Sequence, residues 1–193
     1  MDRVCVYAGS NVGARPEYEA AAEALATALV ARGIGIVFGG ADVGLMKIVA
    51  DTTLAAGGEV IGVIPESLIA REIAHREITE LRVVGSMHER KAMMEQLADG
   101  FVALPGGFGT IDEIIEIATW AQLGLHRKPF GLLNIAGYYA PLVTFFDGAV
   151  AEGFLRPQHR DMLHVAADAD ALLDALESWQ PPSVHKWIDR DET

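Results

Sequence analysis

The sequence predicts one doubly wound α/β domain, with a mostly parallel sheet and helices on both faces. Short, almost continuously apolar runs typical of buried strands alternate with longer stretches of helical periodicity. No repeat, low-complexity tract or linker divides the chain. Strands that alternate with helices in this way form parallel sheets covered on both sides. Because ligands of such sheets bind outside the carboxyl ends of the strands, function is expected in the strand-to-helix loops.

Glycine and proline mark the ends of several predicted elements. The first strand ends at Gly9, the first helix begins at Pro16 and ends before Gly33, and the third strand ends at Pro65. Strands are predicted over residues 4–8, 34–38, 60–64, 81–84, 101–104 and 130–133, helices over 16–32, 44–56, 87–98, 110–123 and 138–152, and a last strand–helix pair over 163–176. Residues 66–80 show no clear pattern. The domain is expected to span residues 1–178, with 179–193 as a C-terminal extension.

Composition excludes several classes of protein. The 193 residues include 15 basic and 27 acidic side chains, which give a formal net charge of −12. A surface for nucleic acid or for an anionic membrane needs a net basic face, so neither partner is expected. The single cysteine, Cys5, lies in an apolar run and is predicted to be buried; it allows no internal disulfide and no cysteine-based zinc site. Neither a signal peptide nor an apolar run of about 18 residues is present, so a cytoplasmic protein is expected.

The strongest functional signal is the loop PGGFGT at residues 105–110. Three glycines between an apolar strand and a helix start leave backbone N–H groups uncovered near the positive end of the helix dipole, which suits a phosphate. The spacing matches neither the Walker loop nor GxGxxG. A tight turn that needs positive φ is the structural alternative. Thr110 and Glu113 also have the T-x-x-E spacing of a capping box, so Glu113 has a structural interpretation beside a catalytic one.

A second signal is the segment SMHERK at residues 86–91. Ser86 and Glu89 repeat the capping-box spacing and predict a helix start. Arg90 and Lys91 then fall in the first turns, where the helix dipole disfavours cations, so an anionic ligand would explain them. Pairing with carboxylates of this acidic chain is the alternative. Methionines 87, 93 and 94 are interpreted as core residues.

Two further glycine-rich loops follow predicted strands. Residues 9–13 offer the hydroxyl of Ser10, and residues 39–46 offer a backbone open to close approach at Gly40. Each loop alone is a weak signal. Together with PGGFGT they follow three strands of one sheet, and this convergence strengthens the prediction of a ligand site.

At these residues the sequence resembles the Lonely-guy (LOG) family of cytokinin-activating phosphoribohydrolases, often mislabelled as lysine decarboxylases. PGGFGTIDE matches the pattern PGGxGTxxE, MHERK matches MHxRK, and the likeness extends through TWAQLGLHRKPFGLLN and GYY. The resemblance implies a Rossmann-like hydrolase, usually a homodimer. Such an enzyme cleaves the N-glycosidic bond of an N6-modified adenosine 5′-monophosphate, or of AMP itself, to free base and ribose 5-phosphate. It implies neither a metal nor another cofactor.

The resemblance also implies roles for individual residues. The catalytic pair falls on Arg90 and Glu113. A glutamate that contacts the substrate falls on Glu72, and a less certain contact falls on Thr119. The nucleotide-binding segments fall on Arg90, Lys91, Gly106, Gly107, Phe108, Gly109, Thr110, Ile111 and Asp112.

The chain departs from the family pattern at three positions. Ala41 and Lys47 stand where glycines are common, and Asp112 replaces the commoner glutamate before Glu113. A nucleotide or molybdenum-cofactor carrier without hydrolysis remains the alternative function, because a carrier needs the glycine-rich loop but not the carboxylate. A DNA-processing protein with a similar loop is disfavoured by the net charge of −12.

Overall fold

The strands form one parallel sheet. The structure is a computed structural model that describes residues 1–69 and 74–181. Within these residues seven strands lie in the order β4-β3-β2-β1-β5-β6-β7, and every neighbouring pair is parallel. The strands are β1 Arg3–Tyr7, β2 Gly35–Phe38, β3 Val60–Pro65, β4 Glu80–Val84, β5 Gly100–Ala103, β6 Phe130–Leu133 and β7 Leu163–Ala166. The predicted doubly wound fold is confirmed.

Helices cover both faces of this sheet. They are α1 Pro16–Ala31, α2 Gly44–Ala55, α3 Glu66–Ile69, α4 Met87–Leu97, α5 Phe108–Gln122, α6 Ala140–Ala151, α7 Pro157–Arg160 and α8 Ala169–Ser178, with a 3₁₀ turn at Ile135–Gly137. Alternate strand residues point to opposite faces, so Val4 and Val6 pack with α1, α2 and α8, while Cys5 and Tyr7 pack with α4 and α5. Cys5 is fully buried, as predicted, and burial raises the pKa of its thiol.

The order of the strands creates a switch point between β1 and β5. From β1 the chain builds the sheet outward through β2, β3 and β4, and from β5 it builds outward in the opposite direction. The loops after β1 and β5 therefore diverge and leave a crevice at the carboxyl ends of these strands. Cys5 pairs with Phe101, and Tyr7 pairs with Ala103 at the end that faces the crevice.

The two predicted capping boxes have different outcomes. At α4 the prediction holds: the Ser86 hydroxyl accepts from the Glu89 N–H (3.1 Å), and the Glu89 carboxylate accepts from the Gly85 N–H (2.7 Å). At α5 the prediction is wrong. The helix begins two residues earlier than expected, with Gly107 as N-cap and no side-chain capping hydrogen bond. Thr110 therefore lies within the first turn.

Other differences are small. Met94 is buried and Met93 is packed against the core, but Met87 is exposed, so the prediction that all three methionines fill the core is wrong for Met87. In the described part of the chain, no helix combines the length and the apolar character that a membrane crossing requires.

Candidate active site

The crevice at the switch point contains seven of the fourteen predicted site residues. Its walls come from the loop after β1, the start of α5, and single residues of α2 and α4. The lining residues are Ala8, Gly9, Ser10, Met46, Arg90, Gly107, Phe108, Gly109, Thr110 and Glu113. A second cavity shares Gly9, Ser10 and Gly107 with the first and extends towards Gly106 and Tyr138.

Arg90 is a buried cation fixed by backbone carbonyls. It lies in the first turns of α4, and only 6% of its surface is exposed. Its Nε donates to the Val63 carbonyl at 3.1 Å, and its Nη2 donates to the Gly39 carbonyl at 3.1 Å. These acceptors lie in β3 and directly after β2, so the sheet itself orients the guanidinium. The buried charge is compensated partly by these dipoles and partly by a carboxylate.

That carboxylate belongs to Glu113. Its Oε1 lies 3.8 Å from Arg90 Nη2, and the two side chains are 12% and 8% exposed. Because Glu113 lies in the second turn of α5, the start of this helix sets its position relative to Arg90. Burial, followed by the charges of Cys5 and Glu113, raises the pKa of the neighbouring Tyr7 well above its ordinary value. Tyr7 is therefore a neutral neighbour of the carboxylate.

The start of α5 presents backbone donors to the crevice. Intrahelical bonding begins with Ile111 N–H to the Gly107 carbonyl (3.1 Å), so the N–H groups of Phe108, Gly109 and Thr110 have no acceptor within the helix. A Cβ on Gly107 or Gly109 would meet nothing within 4 Å, which shows that glycine leaves this backbone accessible. Such an N-terminus suits an anion.

Gly106 has a different reason to be glycine. A Cβ at this position would collide with the Thr110 hydroxyl and would lie 3.0 Å from Gly9 N. The close approach brings the loop after β5 against the loop after β1, where Gly9 N–H donates to the Pro105 carbonyl at 3.1 Å. The two walls of the crevice are thus joined at its base.

Two adjacent tyrosines brace the PGG loop, a feature that sequence reasoning missed. Tyr138 OH donates to the Gly106 carbonyl (2.5 Å), and Tyr139 OH donates to the Leu104 carbonyl (2.6 Å). They follow a tight turn in which Ala136 adopts a positive φ of 50°. The GYY motif was noted only as part of the family resemblance, and nothing in its spacing indicates that it contacts a segment about 32 residues away.

The second glycine loop contributes through Gly39 rather than through the predicted Gly40. A Cβ on Gly39 would collide with Arg90 Nη2. Gly40, with φ of 76°, does not line the crevice; its carbonyl accepts from His75 N–H at 2.9 Å. The loop therefore acts as a seat for the arginine.

Lys91 lies apart from the crevice. Its Nζ is 3.2 Å from Asp112 Oδ2 and 3.0 Å from Glu116 Oε2, an ion cluster between α4 and α5. Burial lowers the pKa of Lys91, but its hydrogen bonds to Glu116 and Asp112 outweigh burial, so the net shift is upward. Pairing with carboxylates is the alternative explanation for the two cations. It holds for Lys91, which pairs with Asp112 and Glu116, and Arg90 also lies beside a carboxylate, that of Glu113.

The remaining predicted contacts fall elsewhere. Thr119 lies in a separate apolar cleft with Phe146 and Leu155, and its hydroxyl donates to the Ile115 carbonyl. Ile111 packs against the core cluster and does not line the crevice. Glu72 lies outside the described residues, as does most of the predicted C-terminal extension. Met46 lines the crevice and was missed, because an apolar residue in a helix carries no sequence signal for a site. Within residues 1–69 and 74–181 no group of three or more potential ligand side chains could hold a metal ion.

Fold and crevice together define a Rossmann-like α/β protein with an arginine–glutamate pair at its switch point. The chain belongs to the LOG family of cytokinin riboside 5′-monophosphate phosphoribohydrolases. Residues 46–176 match the family described as "Possible lysine decarboxylase". Arabidopsis thaliana LOG7, named a cytokinin riboside 5′-monophosphate phosphoribohydrolase, is 49% identical over 93% of this chain and 82% of its own length. LOG of Oryza sativa subsp. japonica, with the same enzyme name, is 48% identical over 93% and 74%.

Solved structures confirm the fold. The molybdenum cofactor carrier protein of Chlamydomonas reinhardtii superposes with a TM-score of 0.69 at 21% identity, covering 92% of this chain and 96% of the other. DNA processing protein A of Streptococcus pneumoniae superposes with a TM-score of 0.58 at 12% identity, covering 93% and 62%. At these identities the likeness concerns the arrangement of the sheet and helices alone.

Proposed function

We propose that this protein is a hydrolase that cleaves the N-glycosidic bond of N6-modified adenosine 5′-monophosphates to free base and ribose 5-phosphate. The observation that carries the proposal is the pairing of Arg90 with Glu113, 3.8 Å apart and largely buried, beside the open N-terminus of α5. A nucleotide carrier needs a phosphate site but has no use for a shielded carboxylate next to it. The relatives' enzyme names agree with this activity.

The 5′-phosphate is proposed to bind at the start of α5. The first-turn N–H groups of Phe108, Gly109 and Thr110 form one wall, and the Ser10 hydroxyl forms the other. A phosphate there gains both the free donors and the favourable helix dipole. Gly106 lets the two walls approach, and Gly107 leaves the backbone beside them accessible. The exposed ring of Phe108, at the mouth of the crevice, is available to contact the nucleoside.

Glu113 is the proposed catalytic carboxylate. As the C1′–N9 bond breaks, its electrons go to the base and positive charge develops on the ribose ring, as in glycoside hydrolysis. A carboxylate at C1′ stabilises that charge and accepts a proton from the attacking water, whose oxygen forms the new bond to C1′. Arg90 orients the carboxylate and stabilises charge on the departing base. One water is consumed: the proton that Glu113 accepts ends on the departing base, and the other proton stays on the new anomeric hydroxyl of ribose 5-phosphate.

The other predicted contacts have weaker support. Lys91 pairs with both Asp112 and Glu116 outside the crevice, so we assign Lys91 and Asp112 to the contact between α4 and α5 rather than to the substrate. Gly40 contributes indirectly, because it belongs to the loop whose Gly39 carbonyl binds the guanidinium of Arg90. Glu72 and Thr119 remain predictions from the family resemblance.

We also propose a homodimer that works in the cytoplasm, where nucleoside monophosphates are made. None of the α6 residues Ala140–Ala151 is buried, although the helix is apolar apart from Thr144 and Asp147. Asp147 pairs with Arg160 at 2.8 Å, which neutralises its charge. We call the area around this helix the α6 surface; it comprises Phe145, Phe146, Phe154, Leu155, Ile115 and Ala118. Phe145 and Phe154 are exposed and the other four are half-buried, and aromatic rings left exposed beside an apolar cleft are typical of a protein interface.

The proposal is tested by incubating the purified protein with AMP and with N6-isopentenyladenosine 5′-monophosphate. We expect release of free base and equimolar ribose 5-phosphate. Chromatography measures the base, and a reducing-sugar assay measures the ribose 5-phosphate. The nucleosides without phosphate serve as controls and should be cleaved poorly, because the α5 donors then have no anion to bind. Tight nucleotide binding without product from either monophosphate would contradict hydrolysis and support the carrier function.

A further inference from the structure

A buried histidine connects three segments beside the loop whose Gly39 carbonyl binds Arg90. His75 is 5% exposed, and its Nε2 lies 2.8 Å from Asp51 Oδ1 on α2. Its backbone N–H donates to the Gly40 carbonyl at 2.9 Å, next to an isolated antiparallel bridge between Ala41 and Ala74. The ring meets the edge of Phe38, the last residue of β2, with centroids 6.5 Å apart.

The backbone segment that His75 contacts, Gly39 and Gly40, has few conformational restrictions of its own. Gly39 and Gly40 follow β2 directly, and glycine restricts the backbone less than any other residue. Yet the Gly39 carbonyl is one of the two acceptors that fix the guanidinium of Arg90. A shift of this carbonyl would move Nη2, the atom that faces Glu113. The distance between Arg90 and Glu113 therefore depends on contacts, made by other residues, that hold Gly39 and Gly40 in place.

Charged residues around His75 supply this restraint. Asp42, on the same loop, pairs with Lys47 of α2, and Lys47 lies 3.6 Å from Asp51. His75 Nε2 faces both carboxylates, at 2.8 Å to Asp51 and 3.9 Å to Asp42. The loop is thereby tied to α2 on one side and to residues 74–75 on the other.

We propose that His75 is a positioning residue for the glycosidic cleavage. Together with Asp42, Lys47 and Asp51, it holds the Gly39 carbonyl and, through it, the guanidinium of Arg90. The inference rests on the proposed function, because it assumes that the Arg90–Glu113 geometry sets the rate. His75 does not line the crevice, so its effect on the reaction passes through the loop.

Three variants test this role. His75→Leu removes the ring nitrogens at similar apolar volume, whereas His75→Gln keeps an amide donor near the position of Nε2. Asp51→Ala removes the exposed partner and leaves the buried ring in place, so it covers the case in which His75→Leu does not fold. Glu59→Gln is the matched control, since it breaks the Arg3–Glu59 ion pair (2.6 Å), which lies at the opposite end of the strands.

We expect His75→Leu to lower kcat about tenfold or more, since sub-ångström misplacement of a catalytic group is costly. Asp51→Ala should lower kcat in the same direction, and His75→Gln should restore it to within about threefold of the wild type. The dissociation constant of ribose 5-phosphate, measured by calorimetry, should stay within about threefold in all variants because the α5 donors are untouched. Glu59→Gln should reduce the melting temperature without changing kcat.

A second readout does not depend on activity. The ¹⁵N–¹H resonance of Arg90 Nε, assigned by its loss in Arg90→Lys, should shift or broaden in His75→Leu and Asp51→Ala but not in Glu59→Gln. If the resonance stays fixed in both and kcat is unchanged, the inference is wrong. Loss of kcat to the same extent in Glu59→Gln would also overturn it. If the wild type releases no base while the resonance shifts as expected, the proposed function fails and the positioning of Arg90 by His75 stands.

Discussion

At the scale of single residues, the site depends on the contacts that compensate the charge of a buried arginine and fix the position of its guanidinium. The guanidinium of Arg90 uses two carbonyls and approaches Glu113 at 3.8 Å, a distance longer than a direct hydrogen bond. The attraction between this carboxylate oxygen and the cation is therefore electrostatic and is not a direct hydrogen bond.

Glu113→Gln separates catalysis from folding, because glutamine keeps the size of the side chain and loses the charge. We expect kcat to fall about 100-fold or more, the usual effect of losing a catalytic acid or base. The protein should still fold, with a loss in the free energy of unfolding of about 1–3 kcal/mol, because Arg90 loses a compensating charge but retains its carbonyl acceptors. Steady-state kinetics and urea denaturation measure the two effects.

Glu95→Gln is the control for this substitution. Glu95 is also a half-buried carboxylate on a helix, and it pairs with Lys128 at 2.6 Å away from the crevice. It should lose some stability and keep the activity. If both variants remain fully active, Glu113 is not catalytic.

The residue types of the site were predictable from the sequence, but some of their partners were not. Glycine density and clustered cations at predicted helix starts indicate a ligand site at PGGFGT and MHERK, and the family resemblance implies Arg90 and Glu113 within them. The same motifs could not separate Arg90 from Lys91. Adjacent residues on a helix point about 100° apart, so one enters the crevice while the other meets Asp112 and Glu116.

At the scale of elements, α5 begins where two tyrosines hold the chain before it. The 3₁₀ turn after β6 directs Tyr138 and Tyr139 back to the Gly106 and Leu104 carbonyls. The Asn134 side chain accepts from Tyr139 N–H at 2.7 Å and fixes that turn. A loop rich in glycine is thus stabilised by neighbours from another crossover.

The two tyrosines should respond differently to loss of the hydroxyl. Tyr139→Phe leaves the buried Leu104 carbonyl without its donor and should reduce the free energy of unfolding by about 1–3 kcal/mol. Tyr138→Phe removes a bond near the surface and should cost about 0.5–1 kcal/mol. It should raise KM for the nucleotide several-fold because the loop that presents the α5 donors loosens. Equal effects of both variants on KM and stability would contradict this division.

The sequence predicts helices and strands well where the hydrophobic periodicity agrees with the positions of glycine and proline at their ends. Pro16 and Gly44 lie at the first residues of α1 and α2, as expected. The start of α5 was predicted too late because Thr110 and Glu113 have the spacing of a capping box, whereas the backbone is already helical from Phe108. The contact of Gly106 with Thr110 and Gly9 favours this earlier start, and such contacts between distant segments leave no local pattern.

At the scale of the whole molecule, acid stability depends on carboxylates that hold the start of β1. Asp99 Oδ2 accepts from the N–H groups of Asp2 (2.7 Å) and Arg3 (3.1 Å). Burial raises the pKa of Asp99, but these two bonds outweigh burial and the net shift is downward. A carboxyl whose pKa is lowered by folding stabilises the protein above its unfolded pKa, and the contribution disappears as the pH falls through the folded pKa.

Asp99→Asn should therefore reduce the free energy of unfolding at pH 7 by about 0.5–1 kcal/mol, a figure kept small because the side chain is exposed. The difference from the wild type should shrink as the pH drops below about 4, where the wild-type carboxyl also becomes neutral. Urea denaturation at pH 7, 5 and 3.5 measures it. A difference that does not vary with pH would show that the charge of Asp99 contributes nothing.

At the scale of the whole molecule we also expect the α6 surface to be the interface of the proposed homodimer. Phe145 is 67% exposed and Phe154 is 87% exposed, beside the apolar cleft between α5 and α6. Two protomers that each carry a formal charge of −12 repel each other, so association requires an apolar contact with few charges, and this surface supplies it.

Phe145→Glu should convert a dimer into a monomer, because it places a carboxylate in an apolar interface where it has no partner. Light scattering coupled to size-exclusion chromatography gives the mass, and circular dichroism checks the fold. Val83→Glu, on the edge strand β4 and also exposed, is the matched control and should remain dimeric. A wild-type mass near the 20.7 kDa of a single chain would contradict the homodimer. Dissociation by Val83→Glu alone would place the interface at β4 rather than α6.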